Sequence, residues 1–135
     1  MTTDGACNPN PGRGGWAVIL RCGKAEREIS GAADHTTNNR MEMQAVIEGL
    51  QVIRERCRVT VRTDSKLVIV LCEKTGPRWI SGMKRKAPKN GDLVERLMEL
   101  MTKHEVEFEW VRGHTGDPDN ERCDHLAEMQ SRRVF

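Results

Sequence analysis

One run constrains the fold more than any other: residues 16–22 (WAVILRC), apolar almost throughout and closed by Gly15 and Gly23. A short apolar stretch between glycines reads as a buried strand. Residues 24–33 follow at once and are expected to pair with it as a hairpin, with Gly23 near the turn. Residues 8–15 (NPNPGRGG) carry two prolines and three glycines, so they are expected to form a turn outside any strand or helix. Only Met1, Thr2 and Thr3 precede Asp4. Either the first strand is unusually short or the sequence begins inside it.

The rest of the chain alternates between two periods. Thr36, Thr37 and Asn38 offer N-cap side chains, and Met43, Val46, Ile47, Leu50 and Ile53 then recur at helical spacing, predicting a helix over about 39–56. Residues 58–63 (RVTVRT) alternate and predict a strand. Ser65 caps a second helix with apolar residues at 67–72, and Gly76, Pro77, Gly82, Pro88 and Gly91 break up the middle of the chain. From Asp92 onward, Leu93, Leu97, Leu100 and Met101 resume helical spacing. Residues 105–111 alternate as a strand, 113–119 form a loop, and 120 to about 132 predict a final helix. The order βββαβααβα describes an α/β domain, a mixed sheet with helices packed on it, and one domain is expected over residues 1–135.

Composition excludes several classes. Charged residues make up 31% and the hydrophobic set 37%, which fits a globular chain rather than a disordered one. No run approaches the roughly 18 apolar residues of a membrane span. Asp4 interrupts any secretory apolar region, so a cytoplasmic location is expected. Cys7, Cys22, Cys57, Cys72 and Cys123 form no C-x-x-C pair. They are expected to be reduced thiols, mostly in the core, rather than a disulfide framework or a zinc site. Between Glu73 and Lys89 stand Lys74, Arg78, Lys84, Arg85, Lys86 and Lys89. That stretch is a solvated loop if taken alone, and a phosphate-backbone contact if a phosphate-handling site lies nearby.

Four acids fall at element ends or beside core positions. Asp4 lies where the first strand should meet the turn, Glu42 in the first turn of the long helix beside its apolar stripe, Asp64 at the end of RVTVRT, and Asp124 between Cys123 and Leu126. Each alone has an ordinary structural role, as a helix start or an ion-pair partner. Together they would repel one another and suffer desolvation unless a divalent cation compensated. Oxygen ligands without thiolates suit Mg²⁺ or Mn²⁺ rather than zinc. His114, between Gly113 and Gly116, has the loop setting of a proton carrier.

The motifs TDGACNPNPG (Asp4), TTNNRMEMQA (Glu42), TDSK (Asp64) and WVRGHTGDPDNERCDHLA (His114, Asp124) resemble, in order and spacing, those of the type 1 ribonucleases H. The resemblance implies a ribonuclease H-like fold, a five-stranded mixed sheet in strand order 3-2-1-4-5 flanked by helices. It implies an endonuclease that cuts the RNA strand of RNA–DNA hybrids, acting as a monomer. Asp4, Glu42, Asp64 and Asp124 would hold two Mg²⁺ ions, with Mn²⁺ as a substitute, and His114 would assist proton movement or product release. Asn10, Asn38 and Asn39 match residues that reach the hybrid's minor groove. Thr37 and Asn90 match part of a pocket for a DNA-strand phosphate, and His35 stands where the family commonly has Arg. An imidazole grips phosphate less firmly than a guanidinium fork, so that contact is expected to be weaker or pH-dependent. A basic, tryptophan-rich protrusion of some relatives is expected in reduced form, around Trp79. The rival classes are a binding module of this fold without catalysis, another nuclease or transposase-like member of the wider superfamily, and a plain structural domain. A complete carboxylate set counts against the first, because binding nucleic acid needs basic groups rather than clustered acids.

Overall fold

The computed structural model describes residues 1–83, 85–113 and 116–133. In chain order the elements are β1 (Thr2–Cys7), β2 (Gly12–Cys22), β3 (Ala25–Thr36), α1 (Asn38–Val52), β4 (Arg58–Thr63), α2 (Lys66–Val70), α3 (Gly76–Ile80), α4 (Gly91–Met101), β5 (Glu105–Trp110) and α5 (Pro118–Ser131). A single five-stranded sheet runs β3-β2-β1-β4-β5. Its first three strands pair antiparallel, and β1–β4 and β4–β5 pair parallel. Mixed sheet and strand order both agree with expectation.

The apolar run in β2 is continuous because helices cover both faces of that strand. Val18 points towards Gly49 of α1, while Ala17 and Ile19 pack with Cys123 and Ala127 of α5. The larger core lies under α1, α2 and α4, where Met43, Val46, Leu50, Val61, Val68, Val94 and Leu97 are all but fully buried. Among the described residues, no helix is long and apolar enough to cross a membrane.

Several expectations need correcting. The turn is confined to the prolines, and Gly12, Gly14 and Gly15 belong to β2. These glycines make room for neighbours: a Cβ at Gly15 would lie 2.2 Å from the carbonyl oxygen of Ala127 in α5. The first strand accordingly continues past Asp4 to Cys7, which puts Asp4 mid-strand rather than at an end. Helix α1 stops at Val52 instead of about residue 56, because 54–56 are charged and exposed and give a further turn nothing to bury. Gly76 and Pro77 do not break the second helix. A five-residue π turn, Leu71–Thr75, joins α2 to α3, and Pro77 falls in the first turn of α3, where a missing N–H is tolerated. All five cysteines are free, yet only Cys72 and Cys123 are buried. Cys22 ends a hairpin strand and Cys57 lies in the link before β4, so both are exposed.

Candidate active site

The central strands bring the acids together. Asp4 sits in β1, and Asp64 directly follows β4, the parallel neighbour of β1. Glu42 comes from α1, in its second turn rather than its first. Gly5 makes this possible, since a Cβ there would lie 2.5 Å from the Glu42 backbone nitrogen and 2.6 Å from the Met41 carbonyl carbon. Helix α1 therefore rests directly on β1, with Glu42 beside Asp4. Its start is fixed by Thr37, whose Oγ1 accepts from the Arg40 N–H at 3.2 Å.

Asp64 is held through its surroundings. Thr63 Oγ1 accepts from the Ser65 N–H at 3.0 Å, Ser65 Oγ caps α2 by accepting from the Val68 N–H at 3.2 Å, and Trp110 Nε1 donates to the Asp64 carbonyl at 3.1 Å. Gly113 lets the following loop come close, because a Cβ there would stand 2.9 Å from Asp64 Oδ2. Asp4, Glu42 and Asp64 thus each offer one oxygen, all within 4.8 Å of one another.

Two of these acids are nearly sealed from water: Asp4 is 3% exposed and Glu42 6%. Burial raises the Asp4 carboxyl to about 7, the Asp64 charge adding to the rise and the Gly5 N–H (2.9 Å to Oδ1) opposing it. Burial also holds Glu42 well above the ordinary carboxyl range, with the Asp4 charge next in effect. Glu42 Oε2 is buried without any hydrogen-bond donor. A buried acceptor with no donor is costly unless a ligand completes it. Clustered carboxylate oxygens with one such orphan fit a hard divalent cation.

Asp124 lies outside that triplet. It is half-buried on α5 and lines a cavity of about 280 Å³ together with Gly5, Cys7, Asn8, Asn38 and Glu128. Its charge is still felt at Asp4, where it contributes to the raised pKa. A cavity of the same volume opens elsewhere, lined by Met1, Leu20, Ile53 and Val59, but it holds none of the four carboxylates, so cavity size does not locate the chemistry.

Hydrogen bonds link several of the residues expected to contact substrate. Asn10 Oδ1 accepts from the Asn38 N–H at 3.1 Å, which places the turn against the start of α1, where Asn39 follows. Asn90, in the left-handed conformation (φ 60°), accepts at Oδ1 from Arg40 Nη1 at 3.2 Å. Arg40 therefore bridges Thr37 and Asn90 while pairing bidentately with Asp92. His35 is exposed near the end of β3 and takes no part in these hydrogen bonds. His114 lies outside the described residues. Sequence reasoning passed over Arg40, Gly5 and Gly113. The clue to Arg40 is a cation in the first turn of a helix, where the dipole disfavours it without an acid such as Asp92 to pair with. The glycines gave no local clue, because their necessity comes from a distant element.

Comparison with known proteins agrees with this geometry. The family model described as RNase H matches residues 1–132. A ribonuclease H of Nitratidesulfovibrio vulgaris (strain DP4) is 51% identical over 139 residues, covering 97% of this chain and 87% of the relative. The crystal structure of LC9-RNase H1, described as a type 1 RNase H with the type 2 active-site motif, superposes with a TM-score of 0.83. Its identity is 31%, over 96% of this chain and 70% of that one. LC11-RNase H1, solved in complex with an RNA/DNA hybrid, shares the fold with a TM-score of 0.67 and 23% identity, over 95% and 92% of the two chains. The chain belongs to the RNase H family. It is a nuclease, and membership indicates cleavage of RNA in RNA–DNA hybrids with divalent-metal dependence.

Proposed function

We propose that this chain is an endonuclease that hydrolyses the RNA strand of RNA–DNA hybrids using two Mg²⁺ ions, leaving 5′-phosphate and 3′-hydroxyl ends. The observation that carries the proposal is the Asp4–Glu42–Asp64 triplet, two of its members buried, with its donorless Glu42 oxygen. Asp4, Glu42, Asp64 and Asp124 would hold the ions, with Mn²⁺ able to substitute. Bound there, the ions supply Lewis acidity towards the attacking water and the departing 3′ oxygen.

The chain's own groups do the rest. Burial of Asp4 and Glu42 excludes water from the carboxylates and strengthens their electrostatic pull on a cation. Gly5 lets α1 approach β1, and Gly113 leaves room beside Asp64 Oδ2. Asn10, Asn38 and Asn39 are short amides suited to the minor groove, where a 2′-hydroxyl distinguishes RNA from DNA. Thr37 and Asn90, tied together by Arg40, offer a DNA-strand phosphate a small polar pocket, with His35 at its edge. His114 carries a proton to or from the reacting phosphate. The enzyme works as a monomer in the cytoplasm.

An end-labelled hybrid, matched RNA and DNA duplexes and single strands, each incubated with Mg²⁺, Mn²⁺ or chelator, tests the proposal. It predicts cutting of the RNA strand in the hybrid alone, abolished by chelator. Comparable cutting of either duplex would contradict it.

A further inference from the structure

Asp124 needs to be brought to the other three carboxylates by something outside the cluster. Its carboxylate makes no hydrogen bond to another described residue and borders an open cavity, so the placement of α5 determines where it stands. That helix is tethered by two ion pairs in its first turns and by a neutral hydrogen bond near its end. Arg21 of β2 grips Asp119 with two bonds of 2.7 and 2.8 Å, Arg122 grips Glu28 of β3 at 2.9 and 3.2 Å, and Gln130 reaches Ser30 of β3 at 3.0 Å. These tethers all reach the β2–β3 side of the sheet.

The pull from the other side comes from Arg62. It lies on β4, two residues before Asp64, and its Nη2 pairs with Oδ2 of Asp117, the N-cap of α5. The other oxygen of Asp117 accepts the Asp119 and Asn120 N–H groups, both at 3.1 Å. One carboxylate therefore joins the first turn of α5 to the strand that leads to Asp64. Arg62 is itself held in place: its backbone N–H donates to the Met1 carbonyl at 2.7 Å, and Glu109 of β5 sits 3.8 Å from its Nε. The next residue, Thr63, accepts from the Val111 N–H at 2.9 Å, and Asp64 abuts Gly113. Arg62, Thr63 and Asp64, the last two residues of β4 and the one after it, thus reach the cap of α5, Val111 and Gly113.

We propose that Arg62 is a positioning residue, which through Asp117 sets α5 against β4 and so holds Asp124 at working distance from Asp4 and Asp64. This inference rests on the proposed role of Asp124 as a cation ligand. Arg62 itself touches no substrate.

Arg62→Gln, Arg62→Lys, Asp117→Asn and the Arg62→Gln/Asp117→Asn double variant test it, with Arg58→Gln, which breaks an exposed ion pair to Glu105 at the far end of β4, as control. Hybrid cleavage gives kcat and KM, and calorimetric titration with Mn²⁺ alone gives cation affinity without substrate. Misplacing one carboxylate should lower kcat about tenfold and leave KM unchanged. Mn²⁺ affinity should weaken about tenfold, at the lower edge of losses seen when a ligand's support is removed. Arg62→Lys should recover part of both, and the double variant should be no worse than either single one. Asp117→Asn keeps a competent N-cap, so it serves if Arg62→Gln fails to fold. Additive losses, or a lowered melting temperature with kcat and Mn²⁺ affinity intact, would overturn the proposal. If the wild type does not cut hybrids, the functional proposal falls, while the Mn²⁺ titration still decides the role of Arg62.

Discussion

The acids at the start of α5 and the acids on β1 and α1 live under opposite rules. Asp117, Asp119 and Glu28 each meet an arginine, and those guanidiniums hold their carboxyls below the usual range. Asp4 and Glu42 are far more buried, meet no arginine or lysine in a hydrogen bond or ion pair among the described residues, and are pushed upward by burial. Arg21, Arg62 and Arg122 pair with other acids instead, nearer the surface, where pairing costs little desolvation and contributes modestly. Leaving the buried acids without such partners keeps their oxygens free for a diffusible cation. Under the proposed function, the arginine-paired acids set the helix in place and the buried acids bind the cation.

The sharpest break between the two regions comes from neutralising the carboxylate cluster. Asp64→Asn or Glu42→Gln should lower hybrid cleavage about a thousandfold, the scale of several kcal/mol of lost charge stabilisation. Circular dichroism should show the fold intact, and near-normal activity with Mg²⁺ would remove that residue from the site. Asp124→Asn should be milder, because an amide oxygen still binds a cation.

The next effect is mechanical. Gly5→Ala pushes a methyl group into the α1 backbone and should cost about 1–3 kcal/mol of stability, with activity falling as Glu42 is displaced. Urea unfolding measures the first and steady-state kinetics the second. Little change in either would mean that α1 can lift without consequence.

A smaller effect is expected at the proposed substrate contacts. His35→Arg should lower KM about three- to tenfold with kcat unchanged, since an exposed charged hydrogen bond contributes at or below about 1.5–3 kcal/mol. The gain should shrink as salt rises. An unchanged KM at low salt would detach His35 from the phosphate pocket with Thr37 and Asn90. The smallest effect belongs to the paired acids. Arg58→Gln should leave cleavage unchanged and the melting temperature nearly so, because the pair it breaks with Glu105 is exposed on both sides.

Much of the molecule was legible from short-range patterns. The run WAVILRC reads as a buried strand because both faces of β2 are covered, and Asp64 follows RVTVRT because Ser65 caps the next helix. What escaped depends on contacts distant in sequence. Gly12, Gly14 and Gly15 resemble turn residues, yet they are strand residues, the first making room for Pro9, the second for Thr36 and Met41, and the third for α5. Asp4 looked terminal because the same glycines seemed to end its strand. The passage of the helix through Gly76 and Pro77 depends on a π turn that no local periodicity announces. The carboxylate set emerged from matching motifs, whereas the depth of Glu42 and its missing donor emerge only from the packed structure.

The central claim is that Asp4 and Glu42 are destabilising while charged and are completed by a cation. Asp4 has its pKa raised from 3.8 to about 7, so its favourable contribution is full below about pH 4 and is lost as pH rises through about 7. The direct test is the melting temperature with and without Mg²⁺, at about pH 5 and about pH 8, for the wild type and Asp4→Asn. Without metal, Asp4→Asn should be the more stable of the two at the higher pH, on the order of 5 °C, with the advantage shrinking at the lower. Mg²⁺ should stabilise the wild type more at the higher pH and Asp4→Asn little at either. Equal Mg²⁺ stabilisation of both proteins, or a wild type more stable than Asp4→Asn in metal-free buffer at the higher pH, would contradict the claim.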